Sequence, residues 1–251
     1  MEVTVFTESR CAVNAAGTVC TMNGPRSYSF WARYLDVFTH VTVVARLSPH
    51  TIDGPPVTGP GVSFARMPHY SGPTQHLTQL PAIRRALRAV CRRESAFILR
   101  LPGRIGGLAG HMLHRSAMPY AVEVIGDPSD VFRRGSVEHP LRPLFRRVFT
   151  ADLRWLTRNA MAAAYVTERT LQQRYPCPGF TTHFSSVDLG SAAFASEWKR
   201  AEPGQRAFRI VTVGSLAQLY KGPDVLLDAL AQVVSRGRDD EKVKDRGRCD
   251  R

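Results

Sequence analysis

Lys221 and Gly222 sit at a junction whose chemistry suits a phosphate. Ahead of them Ile210, Val211, Thr212 and Val213 form a β-branched run of strand length. Behind them Pro223 fits a first helical turn, and Leu226, Ala229, Leu230 and Val233 recur at helical spacing. Strand, loop through Gly214 and Ser215, then helix place free N–H groups and a positive dipole end at the carboxyl edge of a parallel sheet. Lys221 adds a formal charge there. The same residues equally suit an ordinary βα turn with an exposed lysine.

Other residues offer weaker chemistry. Gly126-Asp127-Pro128 follows a strand pattern at Tyr120 to Ile125, where open α/β sheets place their sites. Glu123 lies within that strand and is either paired in the interior or turned to a cleft, because an unpaired buried carboxylate is costly. His111 and His114 sit three apart on one helix, but no carboxylate or cysteine near them in sequence completes a metal site. Gly103, Gly106, Gly107 and Gly110 do not form the Gly-x-Gly-x-x-Gly dinucleotide fingerprint, so they read as small residues for close helix–sheet packing.

The elements that must position these groups alternate. Val3 to Phe6 reads as a strand, followed by a long loop carrying Gly17, Thr18, Asn23 and Gly24. A helix from about Ser27 sets Phe30, Trp31, Tyr34, Leu35 and Phe38 on one side, and Val41 to Ala45 is a continuous apolar strand. Further strands fall at Val62 to Arg66, Ala96 to Leu101 and Ala163 to Thr167, with a basic helix at Pro81 to Arg93. From Pro140 a long helix sets Leu141, Leu144 and Val148 beside Arg142, Arg146 and Arg147. It reads either as a core helix with a solvated charged face or as a contact for anionic lipid. This order of elements predicts an α/β protein with a Rossmann-like parallel sheet.

The stretch GSLAQLYKGPDVLLDAL resembles the start of the C-terminal domain in retaining glycosyltransferases of the GT-B fold, family 4. Gly214, Leu216, Lys221 and Gly222 match that pattern, while Ser215 stands where the family has arginine. The resemblance implies that Gly214, Ser215, Lys221 and Gly222 hold the diphosphate of a nucleotide-sugar donor, with one cation fewer than usual. It also implies that Gly17, Thr18, Asn23, Gly126 and Asp127 face the cleft and the acceptor. The family's sugar-contacting histidine has no counterpart near Gly126, so no residue inherits a catalytic role. The implied activity is hexosyl transfer to a glycan or lipid-linked acceptor, as in polysaccharide biosynthesis, with no metal and no cofactor beyond the donor.

The implied organisation is an acceptor-side Rossmann-like domain over residues 1–200, then the first strand and helix of a donor domain over 207–235. Residues 236–251 contain only Val243 and Cys249 as apolar side chains, and read as a disordered tail left by truncation or a frameshift. On that reading the chain itself transfers no sugar. The rival from another class is a non-catalytic basic domain that associates with anionic membrane or glycan. A nicotinamide oxidoreductase is disfavoured because no glycine fingerprint follows the first strand.

Composition narrows the partners. The formal charge is +13, nearly all of it arginine, since lysine occurs only at 199, 221, 242 and 244. Such a balance suits nucleic acid, membrane or acidic substrates, yet no zinc-finger, RNA-binding or zipper pattern accompanies it. Membrane therefore ranks above nucleic acid. Five dispersed cysteines without a Cys-x-x-Cys pair predict reduced thiols. The absence of a signal-like start predicts a cytoplasmic protein, peripheral at the inner membrane surface if the basic helix binds lipid.

Overall fold

The computed structural model describes residues 1–22, 26–134, 136, 139–186, 194, 210–212 and 222–235. They fall into two units: Met1–Ser129 with Arg147–Asp188, and Asp130–Arg146 with the residues after 188.

The larger unit is a mostly parallel, Rossmann-like α/β sheet. Its strands are β1 (Glu2–Val13), β2 (Val19–Thr21), β3 (His40–Leu47), β4 (Val62–Met67), β5 (Ala96–Leu101), β6 (Ala121–Val124), β7 (Ala162–Tyr165) and β8 (Phe180–His183). The parallel order is β4-β3-β1-β5-β6-β7-β8, and β2 turns back antiparallel on the far end of β1. The chain winds outward from β1 through β3 to β4, then crosses to β5 and continues the other way. The crevice beyond β1 and β5 is thus the switch point of the sheet.

Both faces of the sheet are covered, which is why its strands read as apolar runs. On one face Val3, Val5, Val41 and Val43 meet Phe30 and Trp31 of α1 (Tyr28–Ala32). On the other, Phe6, Val44, Leu99 and Val122 meet Ile83 and Leu87 of α2 (Gly72–Val90), Ile105, Ala109 and Leu113 of α3 (Arg104–Arg115), and Leu153 and Leu156. The last two belong to α5 (Arg142–Arg158), which follows the short α4 (Pro128–Val131). The glycines of α3 allow close packing as expected: a Cβ on Gly110 would lie 2.5 Å from Leu156 Cδ2 and 2.8 Å from Leu99 Cδ1.

Three elements differ from the sequence expectation. The chain after Phe6 is not a long loop. It stays extended to Val13, shifts register between Phe6 and Arg10, and makes a hairpin whose turn uses Gly17 at φ +80°. Helix α2 starts nine residues before Pro81, which lies inside it, because His76, Ile83, Leu87 and Val90 share one buried face. Strand β8 has no burial pattern to read, since all four of its residues are exposed at the edge of the sheet.

Among the described residues four cysteines are free: Cys11 and Cys20 are buried, Cys91 and Cys177 half-buried. Burial pushes the Cys11 thiol up to about 12. In the smaller unit, helix α7 (Pro223–Ser235) forms as its spacing predicts, after α6 (Thr170–Arg174) of the larger one. Ile210–Thr212, expected as a strand, have no ladder neighbour among the described residues, and a strand requires one.

Candidate functional site

The carboxyl ends of β3, β4 and β5 converge on Glu8, midway along β1. Its carboxylate accepts the Ile105 amide at 2.6 Å, the Tyr70 hydroxyl at 3.0 Å, and stands 3.2 Å from Arg46 Nη2. Gly103 makes this possible, because a Cβ there would lie 2.6 Å from Glu8 Cγ. The N-terminus of α3 is therefore occupied by the protein's own carboxylate, where such folds commonly take an anionic ligand.

Arg46 is buried and holds the cluster together. Its guanidinium donates to the Tyr70 carbonyl at 2.8 Å and the Glu8 carbonyl at 3.1 Å, and lies 4.4 Å from the Tyr70 ring centroid. Burial, then the Glu8 charge, pushes the Tyr70 hydroxyl up, so it stays a donor. Two histidines border this group. His76 packs edge-on against Tyr70 at 4.9 Å, and its Nε2 is buried without a partner, as is Nδ1 of His69. Desolvation lowers both, helped at His69 by Arg46, Arg10 and His50, and at His76 by Arg104 and Arg46 against Glu8. Both are neutral imidazoles at neutral pH. A neutral ring offers one donor and one acceptor nitrogen, which suits a hydroxyl-bearing ligand among arginines.

Of the expected cleft residues, four are described: Gly17, Thr18, Gly126 and Asp127. Thr18 and Gly17 form the turn of the β1–β2 hairpin, where Asn14 Oδ1 accepts the amides of Ala16 at 3.1 Å and Thr18 at 2.8 Å. Gly126 and Asp127 follow β6. Asp127 is buried and already engaged: it accepts the Ser129 amide at 2.7 Å, the Tyr175 hydroxyl at 2.5 Å and Arg174 at 2.5 Å. Glu123 takes the interior alternative. It pairs with Arg100, directly opposite it in register, and accepts the Tyr34 hydroxyl at 2.5 Å. Asn23, Gly214, Ser215 and Lys221 lie outside the described residues. Gly222 is described, at φ +70° immediately before α7, with its carbonyl accepting the Leu226 amide at 3.1 Å.

The sequence reading missed Glu8, Arg46, Tyr70, His69 and His76. The available signal was Glu8 just past the first β-branched run, and histidines flanking the end of the Val62–Met67 strand. The reading also missed a carboxylate for His111: Asp152 stands 2.7 Å from its Nε2, and both His111 and His114 pack on Trp155. Among the described residues no group of three metal-ligating side chains assembles.

No family model matches the chain. Over 220 residues, 84% of its length, it is 25% identical to Protein CapJ of Staphylococcus aureus. It covers 53% of that relative. The chain spans about half of it. A solved structure of a ugt transferase from Siraitia grosvenorii in complex with UDP aligns with 77% of this chain and 53% of its own, at 9% identity and a TM-score of 0.38. That likeness is too loose to carry residue roles across.

Proposed function

We propose that the chain serves glycosyl transfer from a nucleotide-sugar to a hydroxyl-bearing acceptor, a glycan or a lipid-linked glycan, by the retaining route of GT-B enzymes. The larger unit supplies the acceptor side. Its switch-point crevice brings neutral His69 and His76 together with Arg10, Arg46 and Arg104, groups able to exchange hydrogen bonds with sugar hydroxyls. Gly17, Thr18, Gly126 and Asp127 frame the same edge on this reading, the last as a buttress for the turn after β6.

Gly222 is the observation that carries the donor side. Its left-handed backbone makes glycine the fitting residue immediately before α7, next in sequence to the Lys221 that the sequence pattern assigns to the donor diphosphate. With Gly214 and Ser215, this segment holds the leaving diphosphate by backbone amides and one ammonium. Charge develops on that diphosphate as the glycosidic bond breaks, so Lys221 strengthens its contact during reaction. Among the described residues no helix is long and apolar enough to cross a membrane. We place the protein in the cytoplasm, with lipid contact at the membrane surface.

The test is turnover of a panel of nucleotide-sugars, with donor affinity, measured in this chain extended by a complete donor domain, for the parent, Lys221→Ala and Ser215→Arg. Lys221→Ala should lower turnover on the order of a hundredfold, the usual cost of one such donor. Ser215→Arg should tighten donor binding. Unchanged kinetics in Lys221→Ala would leave this segment a structural turn.

A further inference from the structure

The amino edge of the sheet, opposite the candidate site, carries a second feature. Arg84 and Arg88 of α2, Arg92 just beyond it, and Arg115 of α3 line an open groove of about 470 Å³ floored by Cys91 and Met112. We propose that this groove binds the phosphate groups of anionic phospholipids and seats the amino edge of the sheet on a membrane surface.

Arg84 and Arg88 are four residues apart and share one side of α2, and the turn after the helix brings Arg92 to the same groove. All four arginines are exposed, and among the described residues none has a carboxylate partner. Cations at helix C-termini are favourable, and one or two would answer that need. Four around one depression repel each other unless an anion enters. Guanidinium forks match phosphate oxygens two by two.

The surroundings favour a bilayer over a small soluble anion. Ser116, at the rim of the groove, leads through Ala117 to Met118, which is 36% exposed. Met161, 61% exposed, stands beside that turn because its amide donates to the Tyr120 carbonyl at 3.0 Å. Parallel topology forces these strand-entering segments onto one edge, so arginines and exposed methionines share a surface. Cations with apolar side chains beside them are the composition of an interfacial contact. The surface is separate from the basic stretch of α5 and from the glycosyl-transfer reading, and each can fail without the other.

The experiment is co-sedimentation of the whole chain with phosphatidylcholine vesicles, with and without phosphatidylglycerol. Binding is expected only with phosphatidylglycerol and weakens with salt. Each single Arg→Gln in the groove should lower affinity about fivefold, and Arg84→Gln/Arg88→Gln/Arg115→Gln should abolish sedimentation with an unchanged melting temperature. Met118→Ser/Met161→Ser should also weaken it. Binding retained by the triple variant, or lost in Arg142→Gln/Arg147→Gln on α5 with the groove intact, overturns the proposal. Release from vesicles by micromolar inorganic pyrophosphate, with normal binding by the methionine variants, assigns the groove to a soluble anion instead and overturns the membrane contact.

Discussion

The Glu8 carboxylate lies 2.6 Å from the Ile105 amide, capping α3 from the middle of the central strand. One side chain thus joins β1, the start of α3, Tyr70 and the buried Arg46. Replacing Glu8 by alanine strips Arg46 of its counter-charge and leaves the Ile105 amide unpaired. The expected loss is about 3 kcal/mol, as for breaking other buried pairs from one side. Urea unfolding of Glu8→Ala measures it, and a loss within error would show the cluster to be loosely held.

Arg100 and Glu123 face each other on adjacent strands, with Tyr34 closing the group from the segment after α1. Arg100 is almost fully buried. Arg100→Met alone should cost about 3–5 kcal/mol, whereas Arg100→Met with Glu123→Leu should recover most of it, since no charge is left stranded. A double-mutant cycle by denaturant melts decides between this and simple additivity.

The glycines sort by what surrounds them. Gly110→Ala should destabilise by about 1–3 kcal/mol, because its Cβ collides with Leu156 and Leu99 and the helix must move off the sheet. At Gly126 a Cβ would lie 3.6 Å from Pro102 Cδ, an ordinary contact. Gly126→Ala should therefore leave the melting temperature nearly unchanged. Equal shifts for the two would contradict this packing.

Stability should fall as pH drops below neutrality. His69 and His76 are both lowered in the fold, so the unfolded chain takes up their protons first as pH passes its ordinary value near 6.5. Their contribution is whole above that value and shrinks below it. Arg46, Arg104 and Glu8 are the charged groups around His76, and Tyr70 packs on its ring. The difference in unfolding free energy between pH 7.5 and 5.5 should be smaller in His76→Gln than in the parent. An identical difference would remove His76 as a source of the slope.

The alternation of apolar runs with helical spacing was enough to predict a parallel α/β sheet, because a sheet covered on both faces writes itself as continuous Val, Ile and Leu segments. The tight α3 packing was legible for the same reason: only glycine leaves that much room at a helix–sheet contact. What the one-dimensional pattern could not decide was which polar residues meet. Glu8, Arg46, Tyr70 and Ile105 are brought together by strand order, with β1 placed between β3 and β5, and no local spacing records that order. Asp127 is engaged by Arg174 and Tyr175, nearly fifty residues later in the chain, and Glu123 by Arg100 through strand register. Hydrophobic periodicity is a property of each element by itself, whereas a charge is satisfied only by a partner, and the partner is chosen by the tertiary fold.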